Sequence, residues 1–132
     1  MQREIKFRGM DANGVIRYGR LSQDKPNTTL YFSEYSQRIC WDDSNIPVSN
    51  KTLGQYTGFR DKNGKEIYEG DIIEMDGWEP KRSIVGFANG GFGFKSSMSD
   101  YYHSDISYVE TSRGNAANVV GNIYENPDLL NP

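Results

Sequence analysis

Apolar and polar residues alternate in short runs along most of the chain, and few segments hold the 3.6-residue period of a helix. Ile5 and Phe7, for example, alternate with polar neighbours, which is the pattern of a half-buried strand. Runs of this kind, bounded by turn residues, predict about nine strands. They cover residues 5–10, 15–21, 30–32, 37–41, 65–68, 83–88, 92–95, 101–111 and 118–124. The pattern therefore predicts a mainly β protein without a long helix.

Two segments share the skeleton Asp-x-Asn-Gly-x-x-x-Tyr, residues 11–18 and residues 61–68. An Asn-Gly pair between apolar runs favours a β-hairpin with a type I′ turn, in which both central residues have positive φ. We therefore expect positive φ at Asn63 and Gly64. Five residues are predicted to be structural turn positions: Asn13, Gly14, Asn63, Gly64 and Gly70.

Polar stretches and prolines mark the other connections. Residues 22–29 and residues 42–50 are predicted loops, the second one around Pro47. Residues 89–91, Asn-Gly-Gly, predict a tight turn between two strands. The residue before Pro127 is disfavoured in a helical conformation, so one helical turn is expected to begin at the proline.

Composition and charge narrow the class of function. The 132 residues suffice for one domain, or two small ones, that bury a core without a metal or a disulfide. The single cysteine, Cys40, is expected to be a small buried hydrophobe. A net charge of −3 lacks the basic surplus of duplex-binding proteins. The charged N-terminus has no apolar leader, and no run approaches the ~20 apolar residues of a membrane span. These features predict a soluble, intracellular protein with no membrane partner.

Residues 91–94, Gly-Phe-Gly-Phe, resemble the aromatic strand with which RNA-recognition and cold-shock domains stack bases. The basic residue that usually precedes such a strand and the third aromatic that follows it are both missing here. The alternative is a strand whose Phe92 and Phe94 point to one face and pack in a core. We favour core packing, beside Ile84 and Phe87 of the preceding strand.

Five aromatic residues make up the candidate binding surface: Trp78, Phe92, Phe94, Tyr101 and Tyr102. Tyrosine and tryptophan are enriched at interfaces, and core packing is the alternative for each of the five. No catalytic, cofactor or metal site is predicted. Residues 61–66 resemble the start of a calcium loop, but Ile72 occupies the place of its bidentate glutamate. The nearby acidic residues, Glu66, Glu69, Asp71 and Glu74, are interpreted as a solvated face.

Three blocks of the chain resemble the YopX-like proteins of phages and prophages. They are residues 3–9 (REIKFRG), residues 54–72 (GQYTGFRDKNGKEIYEGDI) and residues 120–130 (VGNIYENPDLL). The resemblance spans nearly the whole chain. It implies a β-rich N-terminal part followed by a small SH3-like barrel, a phage or prophage origin, and action inside a bacterial cell. The family has no established activity, so the resemblance implies no functional residues.

These observations predict a β-rich N-terminal subdomain, residues 1–50, and an SH3-like β-barrel subdomain, residues 51–132. The predicted function is that of a small, non-enzymatic accessory protein that binds a host or phage macromolecule in the cytoplasm of the bacterial host. The first alternative is single-stranded nucleic-acid binding through residues 91–94, and the second is a small enzyme with an unrecognised site. Because small β proteins expose strand edges, we also expect a homo-oligomer.

Overall fold

The computed structural model describes residues 4–21, 37–41, 44–75, 81–96 and 117–130. These residues form ten strands and two short 3₁₀ helices. In chain order they are β1 (Phe7–Met10), β2 (Ile16–Leu21), β3 (Gln37–Trp41), β4 (Ser44–Val48), the 3₁₀ helix η1 (Asn50–Thr52), β5 (Gly54–Arg60), β6 (Glu66–Tyr68), β7 (Asp71–Met75), β8 (Arg82–Ala88), β9 (Gly91–Lys95), β10 (Ala117–Asn122) and the 3₁₀ helix η2 (Pro127–Leu130). The strands belong to two antiparallel sheets. The prediction of a mainly β protein is confirmed.

The chain divides into two compact units, Met1–Gln55 and Tyr56–Pro132. The boundary lies inside β5, whereas the sequence predicts subdomains that meet near residue 50. Unit 1 contains β1 to β4 and the start of β5, and unit 2 contains the rest of β5 and the strands β6 to β10.

In unit 1, β1 pairs with β2 on one side and with the start of β5 on the other. The sheet continues from β2 to β3 and from β3 to β4. Ile39 and Val48 are buried. Gly9 lies directly against Val48, because a Cβ atom on Gly9 would come within 2.8 Å of Val48 Cγ2. Strand β1 therefore depends on a glycine at this position.

The predicted loop around Pro47 is wrong, because it contains strand β4. This strand pairs with β3, and Pro47 lies opposite Arg38. A proline cannot donate to a ladder, but edge strands accept it, and β4 is the last strand of its sheet among the described residues. Only Ile46 and Val48 supply an apolar alternation, which is too short to be recognised among polar neighbours. The predicted loop at residues 22–29 and the predicted strands at residues 30–32 and 101–111 lie outside the described residues.

In unit 2, β5 and β6 form a hairpin, and the four-stranded sheet has the order β10-β7-β8-β9. Six buried side chains make up the core cluster: Ile67, Ile73, Met75, Val85, Phe94 and Ala117. Every strand of the four-stranded sheet contributes to this cluster. The described strands do not close into a barrel, so the SH3-like part of the fold prediction stays a prediction.

The segment at residues 61–68 forms a hairpin turn of a different type from the one predicted. Gly64 has a φ of +85°, whereas Asn63 does not have positive φ. The Gly64 N–H donates to the Asp61 carbonyl at 2.9 Å, and the Asp61 N–H donates to the Lys65 carbonyl at 2.8 Å. This is a three-residue loop, in which a type I turn is followed by a glycine in the left-handed region. The expectation of positive φ at Asn63 is therefore wrong.

The segment at residues 11–18 repeats the same loop. Gly14 has a φ of +78°, its N–H donates to the Asp11 carbonyl at 3.0 Å, and the Asp11 N–H donates to the Val15 carbonyl at 2.9 Å. The shared sequence skeleton thus corresponds to a shared backbone structure, one copy in each unit.

Gly70, which lies just before β7, makes backbone hydrogen bonds to β8 and to the turn that follows β10. Its φ is +91°, its N–H donates to the Val85 carbonyl at 2.8 Å, and its carbonyl accepts the Ile123 N–H at 2.9 Å. A Cβ atom at Gly70 would lie 2.9 Å from the ring of Tyr124. Both the backbone angle and the lack of space therefore call for glycine. The helical turn predicted to begin at Pro127 is confirmed as η2.

Candidate functional site

Two of the five residues of the predicted binding surface lie in the described part of the chain. Trp78, Tyr101 and Tyr102 lie outside it. Phe92 and Phe94 are both on β9 and, two residues apart, point to the same face of the strand. Phe94 is only 2% exposed and belongs to the core cluster, whereas Phe92 is partly buried and packs against the edge of that cluster.

The register between β8 and β9 identifies the neighbours of these two rings. Val85 lies opposite Phe94, and Phe87 lies opposite Phe92. Ile84 is one position away from Val85 and therefore belongs to the other face of β8. The expectation that Phe87 accompanies the rings is confirmed, and the same expectation for Ile84 is wrong.

Residues 87–92, which we call the hairpin tip, expose one of these aromatic rings. Phe87 is 54% exposed, and its ring contacts Phe92 edge to face, with centroids 5.2 Å apart and an interplanar angle of 82°. Such a pair contributes roughly 0.5–1.5 kcal/mol beyond the area it buries. The ring of Phe87 is therefore held in place by Phe92 while much of it remains accessible to solvent.

The backbone of the hairpin tip is a two-residue turn. Ala88 pairs with Gly91, and the two residues between them, Asn89 and Gly90, have φ values of +55° and +84°. Positive φ at both positions defines the type I′ turn, whose twist matches that of the paired strands. The turn predicted at residues 89–91 is confirmed, and it has the geometry that the sequence had led us to expect at Asn63 and Gly64.

The chemistry that the hairpin tip offers is apolar contact and backbone hydrogen bonding. None of its six residues has an ionisable side chain. A base-stacking platform would require two open ring faces, but Phe94 is covered by the core and Phe92 is engaged by Phe87. The tip is therefore suited to inserting one aromatic ring into a complementary apolar surface.

The carboxylate of Asp61 is a buried polar centre of unit 2. It is 7% exposed. Oδ1 accepts the N–H groups of Asn63 and Lys65, both at 2.9 Å, and Oδ2 accepts the N–H of Val119 on β10, also at 2.9 Å. One carboxylate thus holds its own loop and fastens it to a strand far away in the sequence. Because backbone donors occupy both oxygens, this is a structural carboxylate.

Asp11 occupies the equivalent position in unit 1 but has a different outer partner. Its Oδ1 accepts the N–H groups of Asn13 and Val15 at 2.9 and 3.0 Å, and its Oδ2 accepts Arg17 Nε at 2.8 Å. The hydrogen bond from the Val15 backbone, followed by that from the Arg17 side chain, lowers the pKa of Asp11 below its ordinary value.

The acidic residues between positions 66 and 74 do not all form a solvated face. Asp71 is fully buried, and its Oδ2 accepts the Tyr68 N–H at 2.8 Å, so the interpretation is wrong for this residue. Glu74 is half-buried and pairs with Arg82 Nε at 3.0 Å. Glu66 accepts a hydrogen bond from the Tyr68 hydroxyl at 3.1 Å. Each of these three carboxylates has a partner in the fold.

Within the described ranges, no three His, Cys, Asp or Glu side chains are grouped so that they could hold a metal ion. No helix in the described part of the chain has the length and apolar character needed to cross a membrane.

Sequence reasoning missed two features of these sites. The sequence did not indicate that Phe87 is exposed, because this residue belongs to an apolar run. The available signal was its position two residues before Asn89, which places it near the end of the strand. The bond from Asp61 to Val119 was missed because the partners are 58 residues apart. The one available signal was the aspartate itself, which recurs two residues before the asparagine in both repeated segments.

The fold and these sites define a small, mainly β protein that presents an aromatic hairpin tip and uses buried aspartates to fasten its loops. The sequence model of the YopX protein family matches residues 6–131. The chain therefore belongs to the YopX family, which confirms the resemblance. Among solved structures, it is similar to the crystal structure of protein EF1440 from Enterococcus faecalis, with 24% identity, a TM-score of 0.57 and coverage of 98% of this chain and 99% of that chain. That likeness shows the fold alone. No curated protein matches the sequence.

Proposed function

We propose that this protein is a small accessory protein of phage or prophage origin that binds a host or phage macromolecule in the bacterial cytoplasm and has no enzymatic activity. The observation that carries the proposal is the exposed ring of Phe87, which is held against Phe92 beside a type I′ turn. Aromatic residues dominate binding hot spots. A ring that is already positioned loses little conformational freedom when a partner covers it.

The described carboxylates support a role in binding rather than catalysis. Asp61 and Asp71 accept backbone N–H groups, and Glu74 pairs with Arg82. These groups stabilise the fold, and none of them lies in the hairpin tip. We further propose that unit 2 is an SH3-like barrel, with the sheet of β7 to β10 as part of its wall.

The proposed partner is a protein. The alternative, single-stranded nucleic acid bound by the strand Gly91-Phe92-Gly93-Phe94, receives less support because Phe94 is buried and the net charge is −3. Single-strand binding combines exposed rings with a positively charged groove. An exposed Phe87 without ionisable neighbours in the tip suits an apolar pocket on a protein better.

The test is affinity capture with matched surface variants, Phe87→Ser and Val15→Ser. Both side chains are exposed and apolar, 54% and 47%, but Val15 lies in unit 1. Each variant and the parent are used to capture partners from untreated and from nuclease-treated lysates of phage-infected bacteria, after circular dichroism has shown that all three are folded. We expect Phe87→Ser to lose a partner that the parent and Val15→Ser both retain. Loss of a hot spot of about 2 kcal/mol corresponds to roughly 30-fold weaker binding.

Two outcomes would contradict the proposal. Equal recovery by Phe87→Ser and Val15→Ser would show that the hairpin tip is not the binding surface. Recovery that depends on Phe87 but disappears after nuclease treatment would favour the nucleic-acid alternative.

A further inference from the structure

The chain contains three Asn-Gly pairs, at residues 13–14, 63–64 and 89–90, and the fold holds them in two different environments. We infer that Asn89 is a site of spontaneous deamidation, at which the folded protein converts an asparagine into aspartate and isoaspartate, and that Asn13 and Asn63 are protected. This inference does not depend on the proposed binding function.

The reaction needs only water as a second reactant. The backbone nitrogen of the following glycine loses its proton, attacks the side-chain amide carbon of asparagine and forms a new N–C bond. The displaced amide nitrogen takes up a proton and leaves as ammonia, and a cyclic succinimide remains. Water then opens the ring at one of its two carbonyl groups, which gives aspartate or isoaspartate. Glycine is the most permissive second residue because it has no side chain to obstruct the approach.

At residues 13–14 and 63–64 the attacking nitrogen is engaged in the turn. The Gly14 N–H donates to the Asp11 carbonyl at 3.0 Å, and the Gly64 N–H donates to the Asp61 carbonyl at 2.9 Å. Each of these hydrogen bonds holds the N–H proton that the glycine nitrogen must lose, so the bond must open before attack.

The side chain of Asn63 is held as well. Its Nδ2 donates to Asn118 Oδ1 on β10 at 2.9 Å. The aspartate carboxylate also holds the loop backbone, through the Asn63 and Lys65 N–H groups. Deamidation of Asn63 therefore requires two hydrogen bonds to open, the side-chain bond to Asn118 and the turn bond from Gly64 to Asp61.

Asn89 and Gly90 are in a different environment. Their two-residue turn is closed by the pair Ala88 and Gly91, and both central residues are exposed. Within the described residues, no acceptor receives the Gly90 N–H. Both residues are thus exposed, and no hydrogen bond within the described residues has to release the Gly90 N–H before attack.

The product would alter the hairpin tip. Deamidation adds a negative charge to a segment that has none, two residues from Phe87. Isoaspartate also lengthens the backbone by one carbon at a position where the type I′ turn requires positive φ. The pairing of β8 with β9 next to the turn should therefore weaken.

The experiment measures the three sites within one protein. The full chain is incubated at mildly alkaline pH, and peptides that each contain one Asn-Gly pair are quantified by mass spectrometry over time. Isoaspartate is confirmed by enzymatic methylation. We expect Asn89 to react fastest, with Asn13 and Asn63 slower by roughly two- to tenfold for each hydrogen bond that must open.

Two controls show whether the fold causes the difference. In denaturant, the three rates should converge, because the neighbouring glycine alone then sets the rate. The variant Asn118→Ala should accelerate Asn63 and leave Asn89 unchanged. The inference is overturned if Asn13 or Asn63 reacts as fast as Asn89 in the folded protein, or if the order of rates persists in denaturant.

Discussion

Replacing Asp61 by asparagine isolates the contact that fastens the β5–β6 loop to β10. The substitution keeps the size of the side chain and one acceptor oxygen. That oxygen can still accept the N–H groups of Asn63 and Lys65. In the parent, Oδ2 accepts a hydrogen bond from the Val119 N–H at 2.9 Å. In the variant, the amide nitrogen takes the place of Oδ2, so two donors face each other and this hydrogen bond is lost.

The expected cost is that of one N–H group deprived of its acceptor in a partly buried position, roughly 1–3 kcal/mol. For a domain of this size, each 1 kcal/mol lowers the melting temperature by about 2–8 °C. Asp11→Asn is the matched control. The same type of loop is present there, but Oδ2 of Asp11 accepts from the side chain of Arg17, which is 43% exposed, and not from a backbone N–H. The Arg17 guanidinium can turn to water, so we expect Asp11→Asn to destabilise the protein less than Asp61→Asn.

Urea denaturation gives the change in the free energy of unfolding, and amide hydrogen exchange at Val119 reports the lost contact directly. We expect Asp61→Asn to accelerate exchange at Val119, and Asp11→Asn to leave it unchanged. An equal or larger destabilisation by Asp11→Asn, or unchanged protection at Val119 in Asp61→Asn, would refute the reasoning.

Four further predictions concern the turn, the core, acid stability and association. Gly64→Val should destabilise the fold by about 1–3 kcal/mol because a β-branched residue resists a φ of +85°, and an unchanged melting temperature would contradict this. Replacing both Phe92 and Phe94 with alanine should unfold or strongly destabilise the protein, since a buried Phe→Ala change costs about 3–5 kcal/mol. A folded double variant that has lost the parent's binding to oligonucleotides, measured by circular dichroism and titration, would favour the base-stacking alternative. Because the pKa of Asp11 is lowered in the folded state, its stabilising contribution is complete above the unfolded-state pKa and is lost as the pH falls through the folded-state pKa. Urea midpoints in the acid range should therefore fall more steeply for the parent than for Asp11→Asn, and parallel curves would count against it. Light scattering at roughly tens of micromolar should detect a homo-oligomer, and a monomer alone would disprove that expectation.

Local sequence signals located the three hairpins that contain an Asn-Gly pair but did not determine their turn types. The Asn-Gly pairs at residues 63–64 and 89–90 are identical in sequence, yet only the second forms a type I′ turn. The difference arises at Asp61, whose carboxylate accepts two backbone N–H groups of its own loop and stabilises a three-residue turn. A prediction from the Asn-Gly pair alone does not take account of Asp61, which lies two residues before the pair.

The alternation of residues along β9 predicted that Phe92 and Phe94 lie on one face. It could not predict which of the two rings is more deeply buried. Both rings face the core side, but Phe94 lies opposite Val85 in the core cluster, whereas Phe92 lies opposite the exposed Phe87 at the hairpin end. How far the core extends along a strand depends on strands from other parts of the chain. The sequence pattern contains no such information, so the aromatic tip became visible only in the structure.

The central claim, that the hairpin tip is a protein-binding surface, is tested most directly by site-specific photo-crosslinking. A photoreactive phenylalanine analogue replaces Phe87 in one variant and Val15 in another, and both are irradiated in phage-infected cells. The account predicts a discrete crosslinked protein of the same mass in each replicate, formed from position 87 and not from position 15. Crosslinks from position 15 alone, the same products from both positions, or a product at position 87 that nuclease removes would contradict it.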